Sequence, residues 1–234
     1  IDAKTHQKIS TGKAENKFGL SIKNFKSFYK TIKKYKHIKL DALSVHIGSQ
    51  ILSDVPYKKM LNVMSNLIRE LKLDLKFLDL GGGFGISYNK KDKPINLKKY
   101  SDSVNKLAKK FKCKIIFEPG RSIIGDTGIL LSKIQYIKKG VKKDFIIIDA
   151  GMNDFMRPAL YDAVHKIIPI KKSKSKLKGT IEFVGPICES TCKFGSYKNY
   201  QKMNENDFIA ITNVGAYGSS LSSNYNSRPL IACL

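Results

Sequence analysis

The chain has 234 residues, of which 42% are hydrophobic, and its 43 Lys and Arg against 19 Asp and Glu give a formal net charge of +24 at pH 7. This composition supplies enough apolar residues for a sizeable core and excludes a disordered or collagen-like chain. No apolar run approaches the roughly 18 residues of a membrane-spanning helix, and residues 1–10 lack the apolar segment of a secretory signal. We therefore expect a cytoplasmic protein with no membrane partner.

The positive charge comes almost entirely from lysines, which are spread along the whole chain. Only four arginines occur: Arg69, Arg121, Arg157 and Arg228. Nucleic-acid-binding proteins usually concentrate basic residues on one face and add arginine or aromatic readout, so we expect no nucleic-acid partner. The rare arginines are candidates for ligand binding, because only the planar guanidinium binds a carboxylate or phosphate in bidentate fashion. The four cysteines are spaced too irregularly for a disulfide framework or a metal site, so no metal is expected.

In the first half of the chain, amphipathic stripes alternate with short β-like runs. Apolar residues at three- and four-residue spacing predict helices over residues 22–35, 56–71 and 97–111. Each helix is followed by a predicted strand, over residues 43–47, 77–80 and 115–117. This alternation predicts a parallel sheet covered by helices, in which functional residues gather beyond the carboxyl ends of the strands.

From residue 128 the pattern becomes that of an all-β domain. Strands are predicted over residues 129–136, 145–148, 181–184 and 208–212, and no helical stripe accompanies them. Residues 166–179 are expected to form a mobile, solvated loop between strands. The predicted domains are therefore residues 1–127 and residues 128–234.

Each predicted strand of the first domain leads into a distinctive motif: HIGS at 46–49, GGGFG at 81–85 and EPGR at 118–121. A glycine triplet lets backbone amides approach an anion, although a tight strand exit explains the glycines equally well. The triplet is neither a dinucleotide fingerprint nor a P-loop. Glu118 suits a cationic ring nitrogen and Arg121 a carboxylate, with a salt bridge between them as the alternative.

A second group of candidates lies in the β domain, in the turn-rich segment GPICESTC at residues 185–192. It places the thiol of Cys188 next to the carboxylate of Glu189. A proton-donating thiol beside a substrate-binding carboxylate fits this pair better than a metal site, since no second Cys/His pair occurs at metal spacing.

Seven motifs occur in an order that resembles the fold type III pyridoxal-phosphate decarboxylases, and within them the branch that acts on diaminopimelate. The motifs are THQKISTG-x4-KFG (5–19), HIGSQI (46–51), LDLGGGFGI (78–86), EPGRSI (118–123), MRPALYDA (156–163), GPICES (185–190) and GAYGSSLSSNYNSRP (215–229). The resemblance implies the C-terminal part of an alanine-racemase-like (β/α)8 barrel, followed by a β-sandwich or barrel-like domain. It also implies pyridoxal 5'-phosphate as cofactor and conversion of meso-2,6-diaminopimelate to L-lysine and CO2, the final step of lysine biosynthesis.

The resemblance implies residue roles as well. Cofactor contacts are expected from His46, Ser49, Gly81, Gly82, Gly83, Glu118, Pro119, Gly120, Arg121 and Tyr217. Substrate contacts are expected from Arg121, Arg157, Tyr161, Glu189 and Tyr217. The catalytic residues are expected to be His46, against the cofactor ring, and Cys188, which would reprotonate the α-carbon. Cys188 and Glu189 are expected to act across the interface of a homodimer.

The sequence departs from the family pattern at two points. The segment after CES usually continues Thr-Asp, whereas Thr191 and Cys192 stand here. The family's Schiff-base lysine, in an AxKAN-like motif, is not found, so we expect a fragment that begins in mid-barrel, stops before the closing β strands and is inactive alone. Two alternatives remain: a decarboxylase of the same fold acting on ornithine, arginine or a carboxylated polyamine, and a non-catalytic binding or regulatory relative.

Overall fold

The computed structural model describes residue 3 and residues 16–233, so most of the first motif, at 5–19, lies outside the described residues. The chain divides into two compact units. The first unit comprises the described residues up to Ser87 together with Asp92–Ser122, and the second comprises Tyr88–Lys91 and the chain from Ile123 onward. Among the helices described, none is both long and apolar enough to cross a membrane.

The first unit contains the three expected helices, and each begins at a polar capping residue. The helices are α1 (Ile22–Ile32), α2 (Asp54–Leu71) and α3 (Leu97–Phe111). The side chains of Ser21, Ser53 and Asn96 accept hydrogen bonds from backbone amides of the first turns, which satisfies donors that have no partner within the helix.

Three parallel strands alternate with these helices: β1 (Ala42–Ser44), β2 (Phe77–Asp79) and β3 (Lys114–Ile116), in the order β1-β2-β3. Leu78 at the centre of β2 is fully buried and packs with Tyr57, Met60 and Ile68 of α2 in the core of this unit. Because the strands are parallel, their carboxyl ends lie at the same edge of the sheet, where the three motifs begin. The predicted α/β pattern is confirmed, with shorter strands than expected.

The second unit is built on a six-stranded sheet in the order β6-β9-β4-β5-β7-β8, in which only the β5–β7 pair is parallel. Its strands are β4 (Ile129–Lys138), β5 (Asp144–Ile148), β6 (Ile167–Pro169), β7 (Thr180–Val184), β8 (Lys193–Lys198) and β9 (Phe208–Thr212). The inner face buries a continuous apolar core that includes Ile134, Ile146, Ile181, Phe183 and Ile209. The short helix α4 (Arg121–Ile124) runs from the end of the first unit into the second, and α5 (Arg157–Tyr161) belongs to the second unit.

The sequence predicted a solvated loop over residues 166–179, and this prediction was wrong for the first residues of the segment. Residues Ile167–Pro169 form β6, which pairs with β9, and Ile167 is buried. Strand β8 was also missed. β6 is only three residues long and β8 has few apolar residues, so pairing with distant strands, not local composition, determines both.

Candidate active site

Close backbone contacts hold together the three loops that leave β1, β2 and β3. The three consecutive glycines after β2 make these contacts, and at each of them an added Cβ atom would lie far inside contact distance of a neighbouring oxygen. The added Cβ atom would lie 2.6 Å from Val45 O at Gly81, 2.0 Å from Glu118 O at Gly82, and 2.1 Å from Gly48 O at Gly83. The glycine triplet is therefore required by the packing of the loops themselves.

Hydrogen bonds fix the same loops. The amide of Gly81 donates to Asp79 Oδ1 at 2.8 Å, and the amide of Gly82 donates to His46 Nδ1 at 3.3 Å. His46 Nδ1 is thus an acceptor, which makes the neutral ring the Nε2–H tautomer. Since both amides have acceptors within the chain, phosphate binding by Gly81 and Gly82 stays a prediction.

The open side of this loop cluster lies at Gly120. A Cβ atom there would meet nothing within 4 Å, in contrast to the glycine triplet. The next residue, Arg121, is a buried cation whose Nη2 donates to Ser49 Oγ at 3.1 Å. Open space over the Gly120 backbone, next in sequence to an arginine that is hydrogen-bonded to a hydroxyl, is compatible with the phosphate group of pyridoxal phosphate.

Glu118 and Pro119 complete this part of the site, and both are exposed. The Glu118 amide donates to Gly81 O at 2.8 Å, which ties the loop after β3 to the loop after β2. Its carboxylate stands at the same strand end as Gly120 and Arg121, as the sequence predicted from the EPGR motif.

Tyr57 is a supporting residue that sequence reasoning missed. It is fully buried, and its hydroxyl donates to Gly82 O at 2.9 Å. Burial, aided by the nearby hydroxyl of Tyr100, raises the pKa of Tyr57, so the phenol keeps its proton and remains a donor. In the sequence Tyr57 belongs to the apolar stripe of α2, and nothing there separates it from ordinary core residues.

In the second unit, α5 carries two of the predicted substrate residues. Arg157 and Tyr161 are four residues apart and therefore share one face of this helix. Arg157 is buried, and its Nη1 donates to His165 Nε2 at 2.9 Å. Its guanidinium also lies 4.6 Å from the centre of the Tyr88 ring. His165 and Tyr88 did not stand out in the sequence.

Cys188 and Glu189 lie on an exposed turn after β7. The hydroxyls of Tyr225 and Thr191 donate to the two carboxylate oxygens of Glu189, the latter at 3.3 Å. The hydrogen bond to Glu189 raises the pKa of Tyr225, which keeps that hydroxyl a donor. The side-chain amide of Asn226 donates to the Cys188 sulfur at 3.8 Å.

Glu189 also borders a small cavity of about 270 Å³. The cavity is lined by Met152, Asn153, Met156, Glu189, Ser223 and Tyr225. Methionine side chains form adaptable apolar walls, and a carboxylate at the rim binds an ammonium group. The arrangement suits an alkyl chain that ends in an amine.

Two further residues of this unit stand out, Tyr217 by its backbone conformation and Cys192 by its hydrogen bond. Tyr217 has a φ of 58°, a conformation that bulky residues rarely adopt outside functional sites. Cys192, in place of the usual Asp, is buried, and its sulfur accepts a hydrogen bond from the Met152 amide at 3.3 Å. This bond joins the turn of Cys188 to the segment before α5.

The structure thus gathers the predicted residues in two groups. The first unit brings together His46, Ser49, Gly81, Gly82, Gly83, Glu118, Pro119, Gly120 and Arg121. The second unit carries Arg157, Tyr161, Cys188, Glu189 and Tyr217. An α/β unit with an open glycine backbone after its last strand, followed by a β unit with a buried arginine and an exposed carboxylate, is compatible with a pyridoxal-phosphate enzyme.

Comparison with known families agrees with this class. The family described as "Pyridoxal-dependent decarboxylase, pyridoxal binding domain" matches residues 1–125. The chain belongs to this family of pyridoxal-dependent decarboxylases.

Individual relatives match almost the whole chain. Diaminopimelate decarboxylase of Aquifex aeolicus is 39% identical over 235 residues, which cover 99% of this chain and 56% of the relative. The Helicobacter pylori enzyme of the same name is 42% identical over 233 residues, which cover 98% of this chain and 57% of the relative. The chain therefore spans little more than half the length of these relatives.

Solved structures confirm the predicted fold class. The crystal structure of diaminopimelate decarboxylase from Helicobacter pylori complexed with L-lysine superposes with a TM-score of 0.88 at 41% identity, covering 99% of this chain and 58% of that one. The lysine/ornithine decarboxylase of Vibrio vulnificus, at 21% identity and a TM-score of 0.80, shares the fold.

The opening at Gly120 can be tested in a grafted enzyme, defined as the Helicobacter pylori relative with its matching region replaced by this chain. We expect Gly120→Ala to weaken pyridoxal phosphate binding about tenfold or more, because the methyl group fills the space assigned to the phosphate. Dissociation constants of the apoenzyme for pyridoxal phosphate and for pyridoxal provide the measurement.

The affinity for pyridoxal, which has no phosphate, and the unfolding midpoint should both stay at parent values in Gly120→Ala. The matched variant Gly82→Ala should instead lower the midpoint, since its Cβ would clash with Glu118 O. Equal losses of pyridoxal and pyridoxal phosphate affinity in Gly120→Ala would contradict the assignment.

Proposed function

We propose that this chain is part of a pyridoxal-phosphate-dependent decarboxylase that converts meso-2,6-diaminopimelate to L-lysine and CO2. The observation that carries the proposal is that the chain offers both charges the substrate needs, a buried guanidinium at Arg157 and a hydrogen-bonded carboxylate on an exposed turn at Glu189. The names of the relatives, at about 40% identity over nearly the whole chain, support it. We further propose a cytoplasmic enzyme, since all four cysteines are free thiols.

The choice of substrate follows from the charges of these groups. Diaminopimelate differs from lysine and ornithine by a second amino acid head group, which carries both an ammonium and a carboxylate. Arg157 and Tyr161 supply donors to that carboxylate. Glu189 accepts from the ammonium, and the cavity beside Met152 takes the alkyl chain.

The first unit holds the cofactor in this proposal. When bound, pyridoxal phosphate supplies the electron sink that allows an α-amino acid to lose CO2. Ser49, Gly120 and Arg121 would hold its phosphate as hydrogen-bond donors, and Glu118 would hold its ring nitrogen as an acceptor. His46 presents its exposed ring to the cofactor, because its Nδ1 is engaged by the Gly82 amide.

The remaining members of the predicted cofactor site have supporting roles. Gly81, Gly82 and Gly83 shape the loop beneath the phosphate through the backbone contacts described above. Pro119 fixes the backbone before Gly120 by its restricted φ. Tyr217, which has a positive φ, is assigned a contact with the substrate.

Cys188 is assigned to the proton transfer that completes the reaction. After CO2 has left, its thiol delivers a proton to the α-carbon, a form of general acid catalysis. We assign Cys188 and Glu189 to the active site of a second copy, in a homodimer. Their position on an exposed turn supports this assignment, because such a turn can reach a neighbouring subunit.

Substrate preference tests the proposed reaction directly. We expect the grafted enzyme to prefer meso-diaminopimelate over ornithine and arginine in kcat/KM. Glu189→Gln should lower kcat/KM for diaminopimelate about tenfold to a hundredfold, since a hydrogen bond to a charged group contributes about 1.5–3 kcal/mol.

Thr191→Val, which removes only one donor to Glu189, serves as the control and should have a smaller effect. A parent enzyme that prefers ornithine or arginine would establish the alternative decarboxylase, and no turnover of any of the three would favour a non-catalytic relative.

Mixed dimers test whether Cys188 acts across an interface. Cys188→Ala and Glu118→Ala subunits should each be inactive alone, because each lacks a group needed at every site. After mixing at equal amounts, half of the dimers contain one intact site, so about one quarter of parent activity should return. Steady-state decarboxylation before and after subunit exchange is the measurement. Activity that stays at the level of the single variants would show that Cys188 serves its own subunit.

A further inference from the structure

In the second unit, the side chain of Arg157 contacts a buried histidine, His165. His165 is 1% exposed, and its ring packs edge-on against the rings of Phe155 and Tyr88, with centroid separations of 4.6 and 4.9 Å. Both ring nitrogens make hydrogen-bond contacts of 2.9 Å, Nε2 with Arg157 Nη1 and Nδ1 with Thr212 O. The imidazole therefore links α5 to the end of β9.

The chemistry of these two contacts sets the protonation state of His165. A guanidinium has only donors, so Nε2 must be the acceptor in the contact with Arg157. A carbonyl oxygen has only lone pairs, so Nδ1 must carry the hydrogen donated to Thr212 O. His165 is consequently a neutral ring in the Nδ1–H tautomer.

A neutral acceptor has a specific advantage behind an arginine that binds a carboxylate. An Asp or Glu at this position would pair with the guanidinium in bidentate fashion and cancel its charge. The imidazole orients Arg157 through one hydrogen bond and contributes no negative charge. The second neutral contact, the face of Tyr88 at 4.6 Å, stabilises the cation in the same way.

We propose that His165 is a positioning residue that orients Arg157 toward the substrate carboxylate. The proposal rests on the function assigned above, in which Arg157 binds that carboxylate. It adds a residue that touches neither substrate nor cofactor, and it assigns to this residue a defined tautomer and a defined partner.

Two substitutions separate the contacts of the imidazole. In His165→Gln the side-chain oxygen reaches the position of Nε2 and can still accept from Arg157, but the donor to Thr212 O is lost. In His165→Asn the side-chain nitrogen replaces Nδ1 and can still donate to Thr212 O, but the contact with Arg157 is lost. The two variants are matched, since each retains one hydrogen bond and removes the other.

In the grafted enzyme we expect His165→Asn to raise KM for meso-diaminopimelate roughly tenfold to a hundredfold, with a smaller change in kcat. His165→Gln should keep KM close to that of the parent, although its unfolding midpoint falls. Similar KM values in both variants, together with similar losses of stability, would show a merely structural histidine and overturn the proposal.

A readout independent of activity separates failure of this inference from failure of the proposed function. Nitrogen-15 NMR of the 234-residue chain should show His165 as the neutral Nδ1–H tautomer, and the Arg157 side chain should be ordered in the parent and in His165→Gln but mobile in His165→Asn. If the parent grafted enzyme does not act on diaminopimelate while these signals behave as expected, the proposed function fails and the positioning of Arg157 stands. A protonated or Nε2–H ring at His165, or an Arg157 side chain equally ordered in all three proteins, overturns the inference.

Discussion

Backbone contact among three strand-exit loops is the constraint on which the cofactor half of the site depends. Parallel strands only about a residue or two longer or shorter would move the loops after β1, β2 and β3 out of reach of one another. Their contact at Gly82 allows no side chain, because a Cβ there would lie 2.0 Å from Glu118 O. The hydroxyl of the fully buried Tyr57 donates a hydrogen bond to the Gly82 carbonyl and holds it in place. At Gly120, by contrast, an added Cβ atom would meet open space. A ligand can therefore approach the backbone at Gly120, whereas Gly82 is required for the packing of the loops.

His46 and His165 each accept a hydrogen bond at one ring nitrogen, in different surroundings. His46 accepts at Nδ1 from a backbone amide and is exposed, whereas His165 accepts at Nε2 from Arg157 and is buried. The hydrogen bond at one nitrogen decides which tautomer the neutral form of each ring adopts. In both cases an uncharged acceptor holds a donor in place without adding a negative charge near the groups that bind anions. This is a consistent requirement of a site whose ligand carries a phosphate and carboxylates.

Local patterns in the sequence predicted the elements of the first unit because each helix has an apolar stripe and each strand is followed by a functional motif. The roles of Tyr57 and His165 could not be predicted in this way, since a buried tyrosine or histidine looks like any other core residue until its partner is known. The same reason explains the missed strand β8 (Lys193–Lys198), whose apolar residues are few and whose place depends on pairing with β7. The motifs predicted which residues form the site, and contacts between segments distant in sequence determine how those residues are held.

The most direct test of the central claim is a crystal structure of the grafted enzyme with pyridoxal phosphate and L-lysine bound. We expect the phosphate to lie over Gly120, within hydrogen-bond distance of Arg121 or Ser49, and the side-chain ammonium of lysine to contact Glu189 of the second copy. We also expect Gly81 and Gly82 to keep their present bonds to Asp79 and His46. A phosphate bound elsewhere, with the space over Gly120 filled by solvent, would contradict the claim that this chain forms the cofactor site.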